Sequence, residues 1–167
     1  MENHTVKVGQ KFLLHAQIRN AQNAYSFEMY LIYPDNVIEI EKESGKPKII
    51  KGDFLGDGGD LMSDYSINPT NDTATITVAY SLAGNVAGQD GDGRLFSLRA
   101  TALTAGEYSF IWAPNSTIFD PDGGERPKNF EELKLMIEKE NPDINVVFLT
   151  IERRNDFSFL SFSRNFC

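Results

Sequence analysis

Ser26 and Glu28 stand two residues apart in "NAYSFEMYLIYPDNVIEI", on one parity of a run whose other parity, Phe27, Met29 and Leu31, is apolar. If the run is a strand, a hydroxyl, a carboxylate and the phenol of Tyr30 project from the same face and give it hydrogen-bonding capacity. Groups suited to covalent or acid–base chemistry are scarce. There are two histidines, His4 in an expected frayed end and His15 on an expected strand, and neither lies in a nucleophile elbow or a His-Glu-x-x-His motif. Carboxylates are plentiful enough to supply a glycosidase pair, but on an acidic surface they read as solvated charge. The chain is therefore expected not to be an enzyme. Its single cysteine, Cys167, is the last residue, which excludes an intrachain disulfide and a Cys-based metal site.

Calcium is the other chemistry that the residue types suggest. "GDFLGDGGD", "GQDGDGR" and "DPDGG" crowd Asp against Gly, yet none carries the full ligand series of an EF-hand loop. Asp and Gly are also what tight turns require, so these loops are read as turns, with no metal or cofactor expected on the chain. Asn3, Asn71 and Asn115 each begin an Asn-x-Ser/Thr sequon, relevant where the host glycosylates.

Charge narrows the partners. With 16 Lys+Arg against 24 Asp+Glu the formal net charge is -8, which repels a phosphate backbone and argues against nucleic acid. No apolar run reaches the ~18 residues of a membrane span, so no membrane insertion is expected. The N-terminus lacks a signal-peptide pattern, as it would in a domain excised from a longer secreted protein.

The elements that must position Ser26 and Glu28 are strands. Phe12, Leu14, Ala16 and Ile18 alternate with Leu13, His15, Gln17 and Arg19; Ile76, Val78 and Tyr80 alternate with Thr75, Thr77, Ala79 and Ser81. Further strands are expected over 37–43, 61–67, 95–103, 108–113 and 143–151, separated by the turn clusters "YPDN", "NPTND" and "GQDGDG". About nine strands at this spacing predict an all-β, antiparallel two-sheet sandwich of jelly-roll type. Its core is expected to hold Phe12, Leu14, Ile18, Phe27, Met29, Leu31, Ile76, Val78, Phe96 and Leu98. One short helix is expected over 129–140, before the last strand, because Phe130, Leu133, Met136 and Ile137 fall at helical spacing and Asn129 with Glu132 resembles a capping box. Residues 1–152 form one domain in this reading. Residues 153–167, rich in Phe, are set apart as a tail that is an edge-strand extension, a piece of a following module or a linker remnant.

The order of strands and turns resembles the cohesin family, whose members bind dockerin domains. The residues that carry the resemblance are "VKVGQKFLLHAQIRNAQNAYSFEMYLIYPDNVIEI", "TATITVAYSLAG" and "DGRLFSLRATALTAGEYSF", in that order. The resemblance implies that the Ser26 strand is the third strand, on the flat sheet face that receives the dockerin. Ser26 and Glu28 then match positions where cohesins carry an Asn and an Asp. It further implies a dockerin-containing partner that brings its own calcium, and a place outside the cell or at its surface. Thr75, Thr77 and Ala79 form the neighbouring outward set, small enough for a partner helix to lie close, and Asp64 and Ser66 rim the same surface. A weak homodimer is left open. The alternative function is a carbohydrate-binding module on a similar sandwich, which generally needs a coplanar row of exposed aromatics. Here Trp112 is the only Trp, and Tyr30 and Tyr65 are the only outward candidates.

Overall fold

Alternating runs become strands because two sheets, each wet on one face, bury the other parity between them. The computed structural model describes residues 3–139 and 145–152. Its strands are β1 (Asn3–Lys7), β2 (Lys11–Ala24), β3 (Ser26–Pro34), β4 (Ile38–Ile40), β5 (Lys42–Glu43), β6 (Lys46–Pro47), β7 (Ile49–Lys51) and β8 (Gly59–Asn68). They continue with β9 (Thr73–Leu82), β10 (Gln89–Ala102), β11 (Gly106–Trp112), β12 (Thr117–Phe119), β13 (Asn129–Phe130), β14 (Leu133–Glu138) and β15 (Asn145–Glu152). One sheet runs β1-β14-β11-β3-β9-β8, with β12 continuing beside β3 after β11. The other runs β13-β15-β2-β10-β4, with β7 also on β10. Most pairings are antiparallel, but β1 runs parallel to β14 and β15 parallel to β2.

The expected register holds. All ten core residues named from the sequence are at most 3% exposed. Phe27 stacks on Tyr80 and Phe96, joining β3 and β9 to β10 across the sandwich. Trp112 is buried between Phe96 and Phe130.

The expected helix is a correction. Residues 129–138 hold β13 and β14, and the described residues contain no helix. Leu133, Leu135 and Ile137 are buried at one parity while Lys134 and Met136 face outward, half-buried. The stretch fits either period, and its neighbours decide. β14 lies between β1 and β11, whose free edges offer a full ladder on both sides, which an isolated helix of this length cannot match. His4 also departs from expectation. It sits in β1 with no exposed surface, held against β14. Residues 153–167 lie outside the described residues, and with them the tail.

Candidate partner-docking face

Residues directly paired across a ladder point to the same face. Ser26, Glu28, Tyr30 and Ile32 of β3 pair with Ser81, Ala79, Thr77 and Thr75 of β9. Those residues pair in turn with Asp60, Met62, Asp64 and Ser66 of β8. The partners of Phe27, Met29 and Leu31 are buried, so this second parity is the outward one. Four cross-strand rows result: Ser26–Ser81–Asp60, Glu28–Ala79–Met62, Tyr30–Thr77–Asp64 and Ile32–Thr75–Ser66. The fold thus gathers Ser26, Glu28, Tyr30, Asp64, Ser66, Thr75, Thr77 and Ala79 onto one surface. Those on β3 and β9 are half-buried, and Asp64 and Ser66 on the outer strand are exposed.

Tyr30 Oη donates a hydrogen bond of 2.5 Å to Glu28 Oε1. That bond first, and then burial and the nearby carboxylate charge, raise the Tyr30 phenol above its ordinary pKa, because ionising it would remove the donor. The backbone beneath is fixed from the other side: Tyr30 N–H donates to Ser116 Oγ at 3.0 Å, and Ala113 N–H donates to the Tyr30 carbonyl at 2.8 Å. Asp64 accepts from the Tyr65 N–H at 2.8 Å. The outward parity of β3, β9 and β8 presents Glu28, Asp60 and Asp64 and carries no lysine or arginine.

Two apolar members of this surface escape a reading of types alone. Met62 is 68% exposed, next to Ala79 in the Glu28 row. Ile111, 42% exposed, pairs with Ile32 where β11 meets β3. Parity with Asp64 and Ser66 was a sufficient signal for Met62. Ile111 needed the β11–β3 pairing, which joins residues far apart in the chain. Thr117, paired with Glu28 from β12, is buried at the margin of the face.

The remaining chemical candidates are structural in their geometry. His15 Nδ1 lies 2.5 Å from Ser97 Oγ, between paired residues of β2 and β10. Both residues are buried, which closes this Ser–His pair to a substrate. Burial, helped by the charge of Arg94, lowers the imidazole pKa from 6.5 to about 4. Several carboxylates of the acidic loops are engaged by backbone N–H groups, and Asp57 by Lys51. Asp120 Oδ1 accepts from the Asp122 and Gly124 N–H groups, and Asp90 and Asp92 accept from those of Asn23 and Asn20. Tyr65, a candidate sugar platform, pairs with buried Ile76 on the inward parity, and Lys42 Nζ sits 4.0 Å from its ring centroid.

No family model and no curated protein matches the chain. Solved structures do. A type II cohesin domain from the cellulosome of Acetivibrio cellulolyticus superposes with a TM-score of 0.60 at 12% identity, over 80% of this chain and 90% of that one. A type I cohesin–dockerin complex from Clostridium thermocellum gives 0.55 at 14% identity, over 81% and 94%. Type II cohesin A11 from Bacteroides cellulosolvens gives 0.57 at 13%, over 75% and 86%. At such identities the likeness speaks for backbone architecture rather than for contacts. On the strength of these superpositions and of the sheet order described above, the chain has the cohesin fold.

Proposed function

We propose that the chain is a non-catalytic interaction module that binds a dockerin domain through the outward face of β3, β9 and β8. The observation that carries this reading is the gathering of Ser26, Glu28, Tyr30, Asp64, Ser66, Thr75, Thr77 and Ala79 into four adjacent cross-strand rows on one face of a cohesin fold. One of the similar structures is a cohesin–dockerin complex, which supports a partner of that class. The small side chains of β9 let a helix approach the backbone, Glu28 and Asp64 supply acceptors, and Met62 and Ile111 supply apolar contact. Calcium enters through the dockerin. The module serves assembly or surface attachment of secreted multi-domain proteins, and its site of action is extracellular.

The test is binding of the isolated chain to a panel of calcium-loaded dockerins and, in parallel, to soluble polysaccharides. Saturable binding to a dockerin, lost when calcium is chelated, is the expected result. Retention by a polysaccharide with no dockerin bound would overturn the proposal. With Trp112 buried and Tyr65 on the inward parity beneath Lys42, this face has no coplanar aromatic row to offer a sugar.

A further inference from the structure

The three Asn-x-Ser/Thr sequons are equivalent as sequence, and the fold separates them. Asn3-His4-Thr5 lies within β1, its backbone laddered to β14 and its central histidine wholly buried. Asn115-Ser116-Thr117 has an exposed Asn but a Thr that is 4% exposed in β12, laddered to Glu28. Ser116 between them is tied through its N–H to the Ala113 carbonyl and through its Oγ to the Tyr30 N–H. A glycosyl-transferring enzyme must take both the Asn amide and the hydroxyl two residues on, so the first sequon has to be pulled out of its sheet and the second has to uncover its buried Thr117 before it can react.

Asn71-Asp72-Thr73 is different. It occupies the turn joining β8 to β9, with Asn71 and Asp72 exposed, Asp72 at a φ of 50°, and Thr73, the first residue of β9, paired with Pro34 and Asn68 but half-buried where Thr117 is buried. Thr73 Oγ1 donates a 2.7 Å hydrogen bond to Asn71 Oδ1. The hydroxyl and the amide are thus already side by side at the surface. Donation to Oδ1 draws electron density from the amide and makes its N–H more acidic, on an exposed residue whose Nδ2 makes no hydrogen bond to a described residue.

We infer that Asn71 is the acceptor for N-linked glycosylation of the folded chain, and that Asn3 and Asn115 are not. The donor is a polyprenyl-diphosphate-linked oligosaccharide. Nδ2 attacks its anomeric carbon, the N–C bond forms as the C–O bond to the diphosphate breaks, the polyprenyl diphosphate leaves with that electron pair, and one Nδ2 proton passes to a base of the transferase. The glycan would stand on the hairpin turn, beyond the Ile32–Thr75–Ser66 row that ends the proposed docking face. The assignment does not depend on what that face binds.

The test incubates the purified folded chain with a single-subunit oligosaccharyltransferase and its lipid-linked donor, followed by intact-mass measurement and glycopeptide mapping. Peptides spanning 67–77, 1–9 and 111–121 serve as unfolded references. The folded chain should gain one glycan, at Asn71, at least about tenfold faster than at Asn3 or Asn115, the factor set by local opening of a laddered strand. Asn71→Gln and Thr73→Ala should each abolish the gain, while Asn115→Gln should leave it unchanged. The inference is overturned if the folded chain is modified at Asn3 or Asn115 as fast as at Asn71, if Asn71 stays unmodified in it, or if the 67–77 peptide is refused.

Discussion

The Tyr30 hydroxyl is bonded to the Glu28 carboxylate at 2.5 Å, so two neighbours on the outward parity of β3 act as one polar unit at the centre of a sheet face. The bond holds Glu28 in one orientation before a partner arrives, which reduces the side-chain entropy lost on binding. Tyr30→Phe removes the donor and nothing else. Dockerin affinity should fall by about 0.5–1.5 kcal/mol, the net worth of such a bond, with thermal stability nearly unchanged. In the free protein Glu28→Gln should bring the Tyr30 phenol back toward its ordinary pKa, because the hydrogen bond to the carboxylate is the largest cause of its rise. Tyrosine absorbance titration of the two proteins reads this directly, and superimposable curves would contradict the coupling.

The register of the two sheets is tested from within. Phe27 and Ile76, on neighbouring strands of one sheet, both face the opposite sheet at 3% and 0% exposure, so Phe27→Ala and Ile76→Ala should each cost about 2–5 kcal/mol in denaturant unfolding. Ser26→Ala and Thr75→Ala, one residue away on the outward parity, should stay within about 0.5 kcal/mol.

Strand and helix readings of residues 129–138 make opposite demands. In β14 Leu135 is fully buried and Met136 faces outward, so Leu135→Ala should cost about 2–5 kcal/mol and Met136→Ala clearly less. Asn129 in β13 caps no helix, so Asn129→Ala should be close to neutral, against the ~1 kcal/mol that loss of a cap would cost. Equal effects at Leu135 and Met136 would contradict the strand.

His15 makes stability depend on pH with a definite sign. Its folded pKa of about 4 lies below the 6.5 of an unfolded chain, so below pH 6.5 the unfolded state takes up a proton that the native state refuses. The contribution of the neutral, buried imidazole is complete above pH 6.5 and is lost as pH falls toward 4. Glu41 and Asp57, held below their usual range by Arg99 and Lys51, also lose stabilising contacts in acid, so the wild-type slope alone does not isolate His15. The difference between wild type and His15→Gln does. Their melting temperatures should converge between pH 7 and pH 4, and a constant gap would contradict a neutral buried imidazole.

Fold and face were legible where a single strand carries the signal. Parity in β3 and β9 was enough to separate Phe27, Met29, Ile76 and Val78 from Ser26, Glu28, Thr75 and Thr77. It failed at β14, because "NFEELKLMIE" satisfies a period of 3.6 at Phe130, Leu133 and Ile137 and a period of 2 at Leu133, Leu135 and Ile137. Only the neighbouring β1 and β11, distant in sequence, decide between them. The burial of His4 has the same origin, since a terminal segment is ordered only by the strand it finds. On the face itself Ile111 comes from β11, and the bond that the Tyr30 N–H donates to Ser116 Oγ comes from the β11–β12 connection; a reading strand by strand places neither against β3.

The central claim is that Glu28 lies in the middle of a dockerin-docking surface that has no positive charge of its own. Calorimetric titration of wild type and Glu28→Lys with the dockerin that binds best, in calcium, tests it most directly, beside thermal melts of both proteins. The account predicts matching melts and an affinity for Glu28→Lys lower by roughly 2–5 kcal/mol, because a donor group of the partner would meet a like charge in place of its acceptor. Equal affinities with equal melts would contradict it.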